Sequence, residues 1–558
     1  MSQDQSITIR YASNRQAEDH ARKCQLAPMR KSLILAFVAS VITSIATPTL
    51  AAQPVQPKLV VGIVVDDLRT EYLTLLKEQF SEGGFKKLMK DGVFITAADF
   101  GAAVDPAAAT AIIYTGASPS VNGVPAAEVF DRATLRGIPV FTDNGVLGNY
   151  TSQNLSPKSL TVTTISDEVR VSGGGVTYTY AISPESSKAI IMAGHAGNCG
   201  VWLNNANESW ATTTYYKDVP STLNSRNRLQ PLKVRIDTMA WMPLYPRAKY
   251  SMVPEHITKY PFRYTFRQQQ GSQKMLEFNN SPKANQEVTD FAIATIRDLL
   301  LGKHSGPDMI SVGYSLEPFA NSKMADNRYE LFDAYYRLDQ NLAQLFSSID
   351  KQVGLDNTLI FLAGTPASQR VKRDDEKWNL PYGEFSTRKA ISLLNLYLIA
   401  KHGNGDYVQA YHNNQFFLNR TLIEQKSLSL EEVSKDCARF LEKMSGITKA
   451  YSLDEIIVGK TTDTAPLKRS ISIEHAGDIW ISVIPGWQII DDFNTTTQNN
   501  NQVVRYTAAT APAFILSPNI QPQKITTPVD ARAIAPTITS ILRIRSPNAA
   551  SEAPLNLE

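Results

Sequence analysis

The apolar positions of this chain fall into two alternating patterns. Continuous apolar, largely β-branched runs occur in "KLVVGIVVDD" (58–67), "PDMISVGYSLEP" (307–318), "TLIFLAGTP" (358–366), "DIWISVIPGW" (478–487) and "AFILSP" (513–518). Runs without polar alternation suit strands buried on both faces, as in a parallel sheet. Helical spacing appears between them. "EYLTLLKEQF" (71–80) repeats at helical period and is broken by Gly83 and Gly84. Leu331, Tyr335, Leu338, Leu342, Leu345, Phe346 and Ile349 share one helix face. "ARAIAPTITSILRI" (531–544) predicts a closing helix started or kinked at Pro536. Strand–helix alternation predicts an α/β fold: a mainly parallel sheet sandwiched by helices. Asp66 and Asp67 fall at the C-terminal end of the first strand, the edge where open α/β sheets bind ligands.

Two stretches break the pattern. Residues 205–285 are rich in Tyr, Trp, Pro and Arg without a clear period, and 373–450 are mostly helical and polar. Both read as inserted lobes, which cost little in loop-closure entropy. The expected organisation is one domain over 53–558 carrying these two insertions.

The N-terminus changes the picture of where the protein works. "MRKSLILAFVASVITSIATPTLAAQP" starts at Met29 with Arg30 and Lys31, runs apolar over 33–45 and ends in small residues. That is the pattern of a secretory signal, here 29–52. Its apolar run is shorter than the ~20 residues of a spanning helix, so no stable membrane span is expected in the mature chain. Residues 1–28 are polar and patternless, and translation is expected to start at Met29. The expected location is outside the cytoplasm, periplasmic or secreted. The formal charge of +3 over 558 residues is dispersed, which argues against nucleic acid as a partner. Export permits disulfides, but the mature chain keeps only Cys199 and Cys437. These read as buried structural thiols.

Several segments carry a family resemblance: "PKLVVGIVVDDLRTEYL", "EGGFKKLMKDG", "IYTGASPSVNGV", "VFDR", "LSPKSLTVTTISDEVR", "AIIMAGHAGNCGVWL", "RLDQNLAQLFSSIDKQVG", "YHNNQFFLNRTLIEQKSLSLEEV" and "AIAPTITSILRI". Together they resemble the alkaline phosphatase superfamily, in particular secreted phosphatases of Bacteroidetes near the nucleotide pyrophosphatase/phosphodiesterase branch. The resemblance implies a two-zinc phosphatase. A threonine at a helix N-terminus attacks phosphorus, and aspartates and histidines hold the metals.

Carried over position by position, most of that site is missing. The first aspartate ligand is kept as Asp66. An ungapped count back from "IYTG" puts the nucleophile at Pro106, which has no hydroxyl, and the phosphate-binding asparagine at Ala127. The second ligand motif falls on Glu317, which could still bind metal, and on Asn321. The third falls on Thr365 and Pro366, and the last histidine near Asn501. The phosphate-binding Lys and Arg fall near Glu185 and Ser187. Thr110 reads as a helical threonine and His195 as structural, and the remaining histidines match no ligand position. "SGGGVT" (172–177) lacks the P-loop lysine and reads as a loop.

The expectation is an exported pseudo-phosphatase with no catalytic residue and no cofactor. It would bind an envelope protein, a glycan or a phosphorylated ligand. The alternative is a metal-dependent phosphate-ester hydrolase with a rebuilt site. There Asp66, Asp67 and Glu317 would surround one Mg²⁺ or Ca²⁺, which prefer oxygen ligands.

Overall fold

Strand β1 (Leu59–Asp66) is followed by β2 (Val93–Asp99), the hairpin β3 (Glu128–Asp131) and β4 (Arg136–Pro139), then β5 (Thr179–Ser183), β6 (Cys199–Asn204), β7 (Ser209–Thr213), β8 (Asp308–Ser315) and β9 (Thr358–Gly364). The chain then builds β10 (Val408–His412), β11 (Gln415–Leu418), β12 (Ile447–Ser452) and β13 (Ile479–Val483), and returns with β14 (Thr510–Leu516) and β15 (Gln523–Ile525). The helices used below are α1 (Pro106–Thr115), α2 (Ser186–Ala193), α3 (Pro282–Asp298), α4 (Arg328–Gln352), α5 (Thr387–His402), α6 (Leu430–Leu441) and α7 (Ile534–Leu542). The computed structural model describes residues 56–267, 271–316, 327–366, 382–459, 461–491, 501–505 and 507–557. The signal-like segment 29–52, Glu317 and Asn321 lie outside these residues.

The main sheet runs β15-β2-β14-β9-β1-β8-β5-β6-β7, extended at its far edge by Gly148–Asn149. Its centre is parallel: β1 pairs with β8 and β9, β8 with β5, and β5 with β6. Its flanks are mixed, since β14 runs antiparallel to both β9 and β2. Every residue of β1 is buried, as its unbroken apolar run requires. α4 buries Tyr335, Leu338, Leu342, Leu345, Phe346 and Ile349. Each is worth about 1.5–3 kcal/mol relative to exposure. The expected closing helix forms as α7, with Pro536 buried in its first turn.

The first interruption does not build a core of its own. Its Leu223, Leu232, Ile236, Tyr250, Phe266 and Phe278 join the core of the main sheet. Asp333 on α4 fastens it, accepting from Trp241 Nε1, Leu244 N and Tyr250 Oη, each at 2.6 Å. The second interruption has a separate core running from Phe385 to Ile489. It contains α5, α6 and the antiparallel sheet β10-β11-β13-β12. The sequence pattern placed 478–487 among strands of the main sheet. The structure puts β13 in this second sheet instead, because its alternating buried and half-buried residues fit a sheet with one solvated face.

Asp478, just before β13, ties the second core to the rest. It is 2% exposed and accepts from Arg132 Nη2 at 2.9 Å and Leu418 N at 2.7 Å, with Arg420 Nη2 at 2.7 Å on its other oxygen. Arg132 follows β3 directly and also lies over the Phe417 ring. Cys199 sits in the first core and Cys437 in the second, and both thiols are free and buried.

Candidate functional site

The C-terminal ends of β1, β8 and β9 lie side by side, in register Val65 with Gly364 and Asp66 with Ser315. At this edge opens a cleft of about 250 Å³. One wall comes from the main sheet, the start of α1 and the β3–β4 hairpin: Asp66, Asp67, Val104, Asp105, Pro106, Glu128, Phe130 and Pro366. The other comes from the second lobe: His412, Asn413, Asn414, Gln415, His475 and Trp480.

Asp66 is 2% exposed, and both of its oxygens are engaged. Oδ1 accepts from Thr365 Oγ1 at 2.9 Å. Oδ2 is paired with the ammonium of Lys188 on α2, which is itself 1% exposed. Lys188 Nζ also reaches the carbonyl of Tyr314 on β8, at 3.5 Å. Asp67 is buried as well and takes a left-handed backbone, φ 57°. That conformation costs a non-glycine residue roughly 1–2 kcal/mol, and it turns the chain out of β1 at the ligand-binding edge.

Helix α1 begins at the same edge, and its sequence explains its form. Asp105 is the N-cap, Pro106 sits in the first turn and Gly116 ends the helix in a left-handed conformation, the usual order of cap, proline and terminal glycine. The alanine run lets α1 bury nine of its ten residues. Asp105 Oδ1 accepts from Ala107 N at 2.8 Å and from Ala127 N at 3.1 Å. The carboxylate therefore takes the Ala107 N–H, which the helix N-terminus would otherwise offer to an anion, and adds the Ala127 N–H from outside the helix. Burial pushes the Asp105 carboxyl up to about 6, with a smaller upward push from Asp66 and opposition from its backbone hydrogen bonds. The ungapped count to Pro106 passed over this residue. Pro106 lines the cleft without a functional group, while the neighbouring Asp105 carries the charge. Ala127 contributes its N–H rather than a side chain.

The other predicted positions separate clearly. Thr365 orients Asp66, and Pro366 lines the cleft without a donor atom. Asn501 opens a short strand, Asn501–Val503, beside the second core. Glu185 caps α2 and Ser187 is buried in its first turn; neither lines the cleft. Thr110 Oγ1 donates to the Pro106 carbonyl at 2.7 Å, as a helical threonine does. His195 bonds Asp167 and the Leu160 carbonyl at 2.7 Å, a structural role, and Asp167 raises its pKa.

His412, His475 and Trp480 were not singled out by sequence. They arrive from the second lobe, and only their place in the cleft marks them. His412 Nε2 donates to the Glu128 carbonyl at 3.1 Å. Burial lowers the pKa of His475, which keeps its imidazole neutral near pH 7.

This donor set does not fit a zinc pair. Two zincs need several Asp, His or Cys ligands. Asp66 is committed to Lys188 and Thr365, and Pro366 has no donor. Among the described residues no group of three or more His, Cys, Asp or Glu is placed to hold a metal ion.

Residues 60–506 match the profile of the family described as type I phosphodiesterase / nucleotide pyrophosphatase. The alkaline phosphatase PafA of Elizabethkingia meningoseptica is 25% identical over 522 residues, covering 90% of this chain and 94% of that protein. The alkaline phosphatase PhoV of Synechococcus elongatus is 25% identical over 531 residues, covering 88% and 91%. A Myroides odoratus protein named as a calcium-transporting ATPase is 27% identical over 521 residues, covering 88% and 93%. The crystal structure of wild-type PafA superposes with a TM-score of 0.77 at 23% identity, over 90% of this chain and 98% of that one, which establishes the fold. The profile spans most of the chain and the relatives named as alkaline phosphatases align over about nine-tenths of it, so this protein belongs to the type I phosphodiesterase / nucleotide pyrophosphatase family of the alkaline phosphatase superfamily.

Proposed function

We propose that this protein is an exported, non-hydrolytic binding member of its family, a pseudo-phosphatase that keeps the cleft and has lost the chemistry. One observation carries the reading. Four carboxylates line the cleft (Asp66, Asp67, Asp105 and Glu128); Lys188 compensates Asp66 from the interior, and among the described residues no lysine or arginine lines the cleft. A phosphate dianion needs positive charge around it. Here Asp105 already holds the Ala107 N–H at the start of α1, and its own charge opposes an incoming phosphate. Export is supported by the signal pattern at 29–52.

The same chemistry sorts the expected ligands. A phosphorylated ligand is disfavoured by charge. A neutral or amine-bearing glycan fits better: Trp480 offers a flat apolar face, and Asn413, Asn414, Gln415 and Glu128 offer hydrogen-bonding groups. The test is to purify the mature protein, measure bound zinc, assay phosphate mono- and diesters, and screen neutral and amino glycans by calorimetry. The expected result is no ester turnover and glycan binding weakened by Trp480→Ala. Stoichiometric zinc with turnover abolished by Asp66→Ala would overturn the proposal.

A second reading, a hydrolase with a rebuilt site, is favoured by Asp66, Asp67 and Asp105 lining one cleft and by relatives named as alkaline phosphatases. It requires turnover that depends on Mg²⁺ or Ca²⁺ and is lost in Asp67→Asn.

A further inference from the structure

A carboxylate buried as deeply as Asp66 needs a cation or a proton, because an uncompensated charge in a low-dielectric interior is very costly. In a metal-dependent relative the metal meets that need. In this chain the cation is part of the fold. We infer that Lys188 is the resident cation of this site. Its ammonium takes the electrostatic place of a metal, and the sheet edge is complete without one. The inference rests on the reading of the site as non-hydrolytic and deepens it.

Three observations support it. First, the contacts of Lys188 resemble those of a bound cation: one oxygen of Asp66 and the carbonyl of Tyr314, with Thr365 closing the second oxygen of Asp66. Second, the pair is sealed, since both side chains are 2% exposed, so water does not provide the compensation. Third, the backbone makes room for the lysine stem. Gly313 on β8 lies where a Cβ would come within 2.8 Å of Lys188 Cδ and 2.5 Å of Ser183 Oγ. Both approaches are too close for any residue but glycine unless Ser183 and the lysine stem both move. A lysine threaded past a glycine in a central strand, ending on the carboxylate of the neighbouring strand, is a built feature of this interior.

The experiment compares the wild type, Lys188→Ala, Asp66→Asn and the double variant. Denaturant midpoint and Tm are measured in EDTA, in Ca²⁺ and in n-propylammonium, together with metal content. The wild type is expected to carry no stoichiometric divalent metal and to ignore both added cations. Lys188→Ala is expected to lose stability in EDTA and to regain it in a dose-dependent manner with either cation, each replacing the missing charge. Adding Asp66→Asn to Lys188→Ala is expected to restore stability in EDTA and to abolish the cation response, because the orphan charge is gone.

Stoichiometric metal in the wild type would overturn the inference. So would a Lys188→Ala protein as stable as the wild type, one that gains nothing from either cation, or a double variant no more stable than the single. Should Lys188→Ala be insoluble, recovery of soluble protein in the double variant supports the inference and failure to recover it overturns it. Turnover by metal-free wild type would sink the proposed function and leave this inference standing. Bound metal without turnover would do the reverse.

Discussion

Asp105→Asn is expected to stabilise this protein near neutral pH and to leave it unchanged in mild acid. Asparagine caps a helix about as well as aspartate, so the variant removes the charge and keeps the hydrogen-bonding oxygen. The wild-type carboxyl is held at about 6 against an ordinary value of 3.8. At ~1.4 kcal/mol per pH unit of displacement, the folded ionised form is penalised by at most about 3 kcal/mol. Asp105 is half-buried, and solvent screening reduces this to about 2 kcal/mol.

The sign follows from which state loses its proton first. The folded pKa is raised, so the unfolded chain ionises at lower pH. Wild-type stability then falls as pH rises from about 3.8 to about 6 and is level above that. Urea titrations of wild type and variant at pH 4, 5, 6 and 7.5 check this. The stability difference is expected to be near zero at pH 4 and to open to about 2 kcal/mol in favour of the variant by pH 7.5. A difference that does not depend on pH, or a less stable variant at pH 7.5, would refute the account of Asp105 as a carboxylate ionised at a cost.

Gly313→Ala should cost about 1–3 kcal/mol by overpacking, since its Cβ would meet Ser183 Oγ and Lys188 Cδ. Combined with Lys188→Ala, the loss should be less than additive in urea titrations, and full additivity would contradict the shared space. Asp478→Ala strands Arg132, Arg420 and the Leu418 N–H; a loss of about 2–4 kcal/mol should appear as proteolytic cutting of the second lobe before the main sheet, and simultaneous cutting of both would argue against it. Burial holds the Cys199 and Cys437 thiols up at about 12, so a thiol reagent at pH 8 should label neither in the folded mature chain and both after denaturation. Rapid labelling, or a shift on non-reducing electrophoresis, would refute this.

The central strands were legible in the sequence because burial on both faces leaves an unbroken apolar run, and 59–66, 308–315 and 358–364 all show it. The strand at 479–483 looked similar over so short a span, and only its pairing partners distinguish a strand of the small sheet. That Thr365 and Pro366 carry neither carboxylate nor imidazole could be read residue by residue. The pairing of Asp66 with Lys188 could not, because the two meet across 122 residues of chain and a lone lysine in a helix has no periodic signature. Asp105 was missed for a different reason: counting without gaps fixes one position, whereas a helix cap is defined by the hydrogen bonds it accepts.

The cleft has one wall on each hydrophobic core, and the Arg132–Asp478 pair, the Phe130–Phe417 ring contact and the His412–Glu128 hydrogen bond join the two. Anything seated between Asp105 and Trp480 therefore acts as a rivet. Its binding free energy adds to the adhesion of the small lobe and leaves the interior of the large one almost untouched. Occupancy should show first as slowed hydrogen exchange along β10, β11 and β13, extending beyond His412, Gln415 and Trp480, which line the cleft.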